Sequence, residues 1–342
     1  MPQRAYMGTT QGTHFIDLES KKYDCLHTSG QPHYGNSWDD VRILGSFART
    51  SSHWLLDYNA HGEPTKSRQF PCERPFGAHD MYYCPHRKEW LLCMTGQDAI
   101  YFSKDTVEWK AWHPFDEKPA EFANRTGNRV SLKGNQVPVW TDKIVKTRKE
   151  VWDDKLKKRV MKTVVRKRRV RRSRARGEPV DKIQNLHHIN TVNTTKDFIY
   201  VMCHNHGRSE IVKFDHELKE IDRWFAGHES HNMWEMDGKV GFINSRQSCV
   251  VLGDEVVYSA PDRSFPRGIA WHPDYWLLGL SNFTFDRNER KITTGVIHKI
   301  SPDWKEVLDV IDFDLVGQVY SIRLLDSEDP VTHNGLLAPV ER

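Results

Sequence analysis

The sequence has no long apolar run. Nothing in it approaches the roughly 18 consecutive apolar residues of a membrane helix, so no membrane partner is expected. Its six cysteines (Cys25, Cys72, Cys84, Cys93, Cys203, Cys249) include no C-x-x-C pair. That argues against a zinc knuckle and a disulfide framework, and the thiols read as reduced core residues. Met1 to Thr10 lacks the basic region and apolar stretch of a secretory leader, from which a non-secreted, cytoplasmic chain is expected. Also missing are a G-x-S-x-G elbow, a P-loop, an H-E-x-x-H pair and a G-x-G-x-x-G turn. Their absence removes the common hydrolase, NTPase, zincin and dinucleotide-binding readings.

Aromatic residues, by contrast, are plentiful: 12 Trp, 15 Phe and 11 Tyr in 342 residues, a supply that suits a compact chain of many short strands. A net charge of +4 conceals a strong asymmetry. Lys143 to Arg176 contains 17 basic and 3 acidic residues, or +14, and the remaining 33 basic and 43 acidic residues carry −10. One short segment holds the positive field over an acidic body.

A two-part pattern recurs, in which a small or polar lead is followed nine to eleven residues later by an aromatic-aliphatic run. Gly77-Ala78-His79-Asp80 precedes Glu89 to Met94, and Leu186-His187-His188-Ile189-Asn190 precedes Phe198 to Met202. Ser230-His231-Asn232 precedes Val240 to Ile243, and Pro266-Arg267-Gly268-Ile269 precedes Trp276 to Leu280. Weaker copies begin at Asp40-Val41-Arg42-Ile43 and at Gln318-Val319-Tyr320-Ser321, bringing the count to six. Spacings of 43, 36 and 53 residues from His188 through His231 and Arg267 to Tyr320 fit one four-stranded blade each. An all-β propeller is expected, most simply of six blades, with five or seven as alternatives. Strands from Tyr6 to Cys25 would complete the last blade, leaving no free sheet edge.

His79 and His188 are 109 residues apart, which exceeds one blade by roughly 60. The excess reads as a basic insertion in one blade. Its β-branched alternation suggests a projecting hairpin, although Leu156, Val160, Met161, Val164 and Val165 also fit a helical stripe. The expected organisation is propeller over 1–115, a basic arm over 116–183 and the remaining blades over 184–342.

The stretch from about 187 to 281 resembles an uncharacterised family of bacterial propeller proteins, related in architecture to six-bladed NHL and gluconolactonase-like propellers. The residues that carry the resemblance are His188-Ile189-Asn190, Ser230-His231 with Trp234 and Gly238, Ile243-Asn244-Ser245, Phe265 to Ala270, and Leu278-Gly279-Leu280-Ser281. The resemblance implies a propeller fold and no particular reaction. The basic insertion departs from it.

In a propeller, the residues opening the innermost strands converge on the central channel. That geometry makes His79, His188, His231 and Arg267, with Asp80, His187, Asn190 and Asn232 beside them, a candidate ligand-binding funnel. His79, His188 and His231 are candidate ligands for one Zn, Fe or Mn ion, and Arg267 suits a carboxylate or phosphate. Asp80 and Arg267 are the candidate catalytic residues, with Glu229 a further general base. The bland alternative is that the histidines brace loops around the channel. Cys203-His204-Asn205-His206-Gly207 has the look of a ligand set but follows an apolar strand directly and reads as a turn.

Arg166, Lys167, Arg168, Arg169, Arg171, Arg172, Arg174 and Arg176 are denser than an ordinary solvated face and are candidates to bind nucleic acid or another polyanion. An acidic protein partner, or self-association through the acidic body, would satisfy the same charge. Two functions follow. One is a binding and assembly protein docking through its arm. The other is a metal-dependent hydrolase or lyase acting on a small polar or anionic, sugar-like substrate in the funnel.

Overall fold

A computed structural model of the chain describes residues 3–28, 32–39, 43–49, 52–58, 64–70, 78–115, 122–123, 129–130, 141–153, 158–170, 187–284, 289–314 and 316–332. They divide between two compact units, one drawn from 1–119, 124–128 and 184–342, the other from 120–123 and 129–183.

The larger unit is a six-bladed β-propeller of six four-stranded antiparallel sheets. From the inside outward, blade 1 orders Val319–Leu324, Arg4–Thr9, Gly12–Asp17 and Tyr23–Thr28, and blade 2 orders His33–Trp38, Ile43–Arg49, Ser52–Tyr58 and Pro64–Gln69. Blade 3 runs Ala78–Cys84, Glu89–Met94, Ala99–Ser103 and Lys110–Trp112, and blade 4 runs Ile189–Thr194, Ile199–Cys203, Arg208–Phe214 and Glu220–His228. Blade 5 comprises His231–Met236, Lys239–Asn244, Cys249–Leu252 and Glu255–Ser259, and blade 6 comprises Ile269–His272, Tyr275–Ser281, Gly295–Ile300 and Val307–Phe313.

Burial follows depth within the blade. The second strand of blade 6, Tyr275–Ser281, is buried at every position, because a neighbouring blade covers each of its faces. Such strands read as continuous apolar runs. The outermost strand of the same blade, Val307–Phe313, alternates toward exposure, with Ile311 and Phe313 buried. Asp237 and Gly238, at φ 52° and 74°, turn blade 5 from its first strand to its second, a two-residue turn with positive φ at both positions.

Six apolar cores lie between the six pairs of neighbouring blades. Tyr6 packs with Trp38 and Tyr58 between blades 1 and 2, Leu55 and Phe70 with Met81 and Trp90 between 2 and 3, and Leu91 and Cys93 with Val192 and Val201 between 3 and 4. Met202 meets Met233 and Phe242, Trp234 meets Trp276 and Leu278, and Leu277 and Phe313 meet Met7 and Ile322, which closes the ring. The closing blade joins Ala5↔Leu324 through Gly8↔Ser321, so chain segments from both ends share one sheet, as the strand count anticipates. Arg4 clasps the join: its main-chain N–H and its guanidinium Nε donate to Asp326 Oδ2 at 2.8 and 2.9 Å.

Two expectations need correcting. Blade 2 does not open at Asp40–Ile43; it opens at His33, and Ile43 begins its second strand. Nor are all the thiols buried. Cys84, Cys93, Cys203 and Cys249 are buried and free, whereas Cys25 is exposed; Cys72 lies outside the described residues.

In chain order, the smaller unit follows the fourth strand of blade 3 and precedes the first of blade 4. It contains a hairpin pairing Thr141–Asp153 with Lys158–Val170 over 13 consecutive positions without a bulge. Arg166, Lys167, Arg168 and Arg169 belong to its second strand; Arg171, Arg172, Arg174 and Arg176 lie outside the described residues.

Candidate functional site

The same irregularity marks the inner strands at one end. In five blades the pairing of first and second strands shifts by one residue, leaving Tyr34, His79, Asn190, Asn232 and Tyr320 as the extra residue. In blade 6 Arg267 N–H donates to Gly279 O while Gly279 N–H donates to Gly268 O, so two residues again face one. A bulge re-aims the side chain it carries, and six bulges at corresponding positions re-aim six.

A continuous belt runs round this end, built from four of the bulge residues, Tyr320, Tyr34, His79 and Arg267, together with His188, His204 and His231. Tyr320 and Tyr34 lie with ring centroids 5.2 Å apart, Tyr34 stacks on His79 at 5.0 Å, and His79 meets His188 edge-on at 5.0 Å. His188 and His204 follow at 4.8 Å, then His204 and His231 at 5.6 Å. Arg267 places its guanidinium carbon 4.2 Å from the centroid of Tyr320 and is close enough to His231 to disfavour its protonation, so the circuit closes with a contribution from every blade.

Two of the imidazoles are held from behind by hydroxyl groups. The second strands of blades 3 and 5 end in 3₁₀ turns, Thr95–Gln97 and Ser245–Gln247, whose first residues bond the belt: Thr95 Oγ1 lies 2.8 Å from His79 Nδ1, and Ser245 Oγ 2.9 Å from His231 Nδ1. In blade 4 the residue at that place is His204, which opens the turn Asn205–Gly207. His188 has φ 52°, unusual for a residue with a Cβ. Buried Asp98 fixes that geometry by accepting the successive N–H groups of His187, His188 and Ile189 at 2.9, 2.7 and 3.4 Å.

The belt's one fixed charge is Arg267. It is 6% exposed, and among the described residues no carboxylate lies within ion-pair distance of it and no side-chain hydrogen bond reaches it; its Nε is buried without an acceptor. Burial lowers it to about 10, against the pull of Tyr320 and Tyr34, so it stays a cation at neutral pH. Burial likewise holds His231 well below the usual imidazole range, with Arg267 the second cause.

The sequence candidates separate by depth. His79, His188, His231 and Arg267 do come together in the belt. Asp80 sits a layer beneath, 5% exposed, with Arg323 Nη2 donating to its Oδ1 at 3.3 Å, and burial pushes its carboxyl up to about 6. It helps line a cavity with about 20 Å³ open to the centre of a water molecule, bounded also by Tyr82, Thr191, Asn193, Arg323 and Thr332. Asp329–Thr332 is fastened on that side: Asn193 Nδ2 donates to Val331 O at 3.1 Å and Trp271 N–H to Asp329 Oδ2 at 3.2 Å.

Asn190 and Asn232 act as struts. Asn190 Nδ2 donates to Ser230 O at 2.6 Å, and Asn232 Oδ1 accepts from Gly268 N–H at 2.8 Å, tying blade 4 to blade 5 and blade 5 to blade 6. His187 turns to Phe115, at 4.4 Å between centroids, and takes no part in the belt. Glu229, buried at φ 48°, donates its N–H to Gly207 O at 2.9 Å.

His79, His188 and His231 do not fit a single metal ion. Among the described residues, no group of three or more His, Cys, Asp or Glu is placed to hold one. His204 stands between His188 and His231, separating them around the belt.

Sequence reasoning missed Tyr34, Tyr320 and His204 as site residues. Tyr320 stood in the repeat register, but only imidazoles and the guanidinium were weighed as ligands. Tyr34 is lost with the misplaced start of blade 2, and His204, directly after a second strand, belongs to the cluster that reads from sequence as a turn.

No family model and no curated protein matches the chain. Among solved structures it is similar to the periplasmic gluconolactonase PpgL of Pseudomonas aeruginosa, at 9% identity over 95% of this chain and 99% of that one with a TM-score of 0.47. It is also similar to TolB from Acinetobacter baumannii, at 12% identity over 94% and 66% with a TM-score of 0.49. A putative 6-phosphogluconolactonase from Bacteroides fragilis is a third, at 10% identity over 95% and 98% with a TM-score of 0.45. Likeness at this level says nothing of chemistry. In the described residues no helix is long and apolar enough to cross a membrane.

Proposed function

We propose that the belt is the active site of a hydrolase or lyase that works by acid–base chemistry on a small anionic, sugar-like substrate. The observation that carries this reading is Arg267. A buried guanidinium with no carboxylate bonded to it is costly, and a cation kept that way awaits an anion from outside. A carboxylate or phosphate of the substrate takes the fork of Arg267. Tyr34 and Tyr320 supply hydroxyl groups beside it, and a neutral imidazole accepts a proton from water or from the substrate. Because the residues present do not fit a metal ion, no step is assigned to one.

The test is calorimetric titration with a sugar acid and with the corresponding neutral sugar, combined with turnover of the acid's esters and lactones. The acid is expected to bind and the neutral sugar not to. Arg267→Met is expected to weaken the acid roughly 10- to 100-fold, the value of a charge-assisted hydrogen bond. Equal binding of the two sugars, or an unaffected variant, would refute the reading.

A second reading concerns the hairpin. Its register pairs Lys143 with Arg168 and Lys149 with Lys162, residues of like charge. Such pairs disfavour the ribbon until an anion neutralises them, which supports a polyanionic partner such as nucleic acid.

A further inference from the structure

Thr95 and Ser245 each face two groups. Thr95 Oγ1 is 2.5 Å from Ile189 O as well as 2.8 Å from His79 Nδ1, and Ser245 Oγ is 2.7 Å from Pro266 O as well as 2.9 Å from His231 Nδ1. A hydroxyl has one proton. A carbonyl oxygen can only accept, and two oxygens at 2.5 or 2.7 Å repel unless a proton lies between them. Each hydroxyl therefore donates to the carbonyl of the next blade and accepts from the imidazole. That leaves the ring proton on Nδ1 and the lone pair on Nε2.

The two carbonyls belong to separate joins of the ring, one between blades 3 and 4 and the other between blades 5 and 6. Ile189 opens the inner strand of blade 4 and Pro266 leads into that of blade 6. The hydroxyl proton is thus committed by the ring's own assembly, before any ligand arrives.

We propose that Thr95 and Ser245 are positioning residues that lock His79 and His231 in the Nδ1–H tautomer, making Nε2 the basic atom of each. The inference rests on the acid–base reading of the belt and specifies which nitrogen acts. Blade 4 is built differently. There the hydroxyl's place is taken by His204, so the belt alternates locked imidazole, imidazole pair, locked imidazole. A substrate proton is accepted at Nε2 of a locked ring, which becomes a cation held through Nδ1–H to its hydroxyl.

The experiment is a long-range ¹⁵N–¹H correlation spectrum of the full chain labelled at histidine, with Thr95→Val, Thr95→Ser and Ser245→Ala. His79 and His231 of the parent are expected to carry the proton on Nδ1. Thr95→Val is expected to move only the His79 signals, toward the Nε2–H pattern, and Ser245→Ala only those of His231, while Thr95→Ser retains the parent pattern. A parent spectrum with both rings protonated on Nε2, or variants that leave the signals in place, would overturn the lock. If Thr95→Val misfolds, the parent spectrum and Thr95→Ser still decide it. The tautomers judge the lock by themselves, and turnover of the same variants judges the acid–base reading. A lock that shifts as expected without any loss of turnover would sink that reading alone.

Discussion

Asp80 illustrates how burial can outweigh an adjacent ion-pair partner. Arg323 lies beside it, yet desolvation is the larger influence and the carboxyl is pushed up to about 6; Asp329, also near Arg323, is raised to about 6 by burial too. A carboxyl raised above its unfolded value lends stability that is complete below about pH 4 and lost as pH rises through about 6. Asp80→Asn is therefore expected to gain on the parent between pH 4 and 6.5, as read from urea midpoints at each pH. A constant difference, or one that favours the parent as pH rises, would mean that the Arg323 pair dominates. At this scale the sequence was legible where one rule sufficed. His79, His188, His231 and Arg267 were found because blade leads converge. Asn190 and Asn232 were grouped with them on adjacency alone, and nothing in the string separates a side chain that faces the channel from one that ties two blades together.

Among the elements, second strands were the most readable, because burial on both faces demands an unbroken apolar run. Trp276 to Leu280 and Phe198 to Met202 fall within such strands or directly at their edges. Blade 2 defeated the same rule: its second strand, Ile43–Arg49, carries Gly45 and Ser46 in mid-run, and the stronger apolar signal of Trp54 to Leu56 comes from the third. The hairpin was legible as charge more than as shape, since β-branched alternation and a helical stripe coexist in it. Its partner is testable at this scale. Affinity for duplex DNA, RNA and heparin is expected to fall steeply with salt, on a log–log slope reflecting about six or more neutralised phosphates. Deleting 143–176 is expected to remove that dependence, and unchanged binding would dismiss the arm as the docking element.

For the whole molecule, the governing fact is that six interfaces form a closed series. No blade owns its core; each core belongs to a pair, and the pair formed by blades 6 and 1 depends on a strand contributed from Val319–Leu324. Removing that strand by ending the chain at residue 318 strips blade 1 of its inner member and leaves Met7, Phe313 and Leu277 without Ile322 and Leu324. The truncated chain is expected to lose its single cooperative unfolding transition and to bind a hydrophobic dye, whereas a monomer that still melts in one step would mean five blades and a remnant suffice.

Blade 1 also sets a timetable. The strands Arg4–Thr28 leave the ribosome roughly 300 residues ahead of the strand that completes them. At 5–20 residues per second, that is about 15 to 60 s during which Arg4–Thr9 presents an unsatisfied edge to the cell. Whatever else a nascent chain of this design needs, it needs something to occupy or conceal that edge until the last turn of the ring is made.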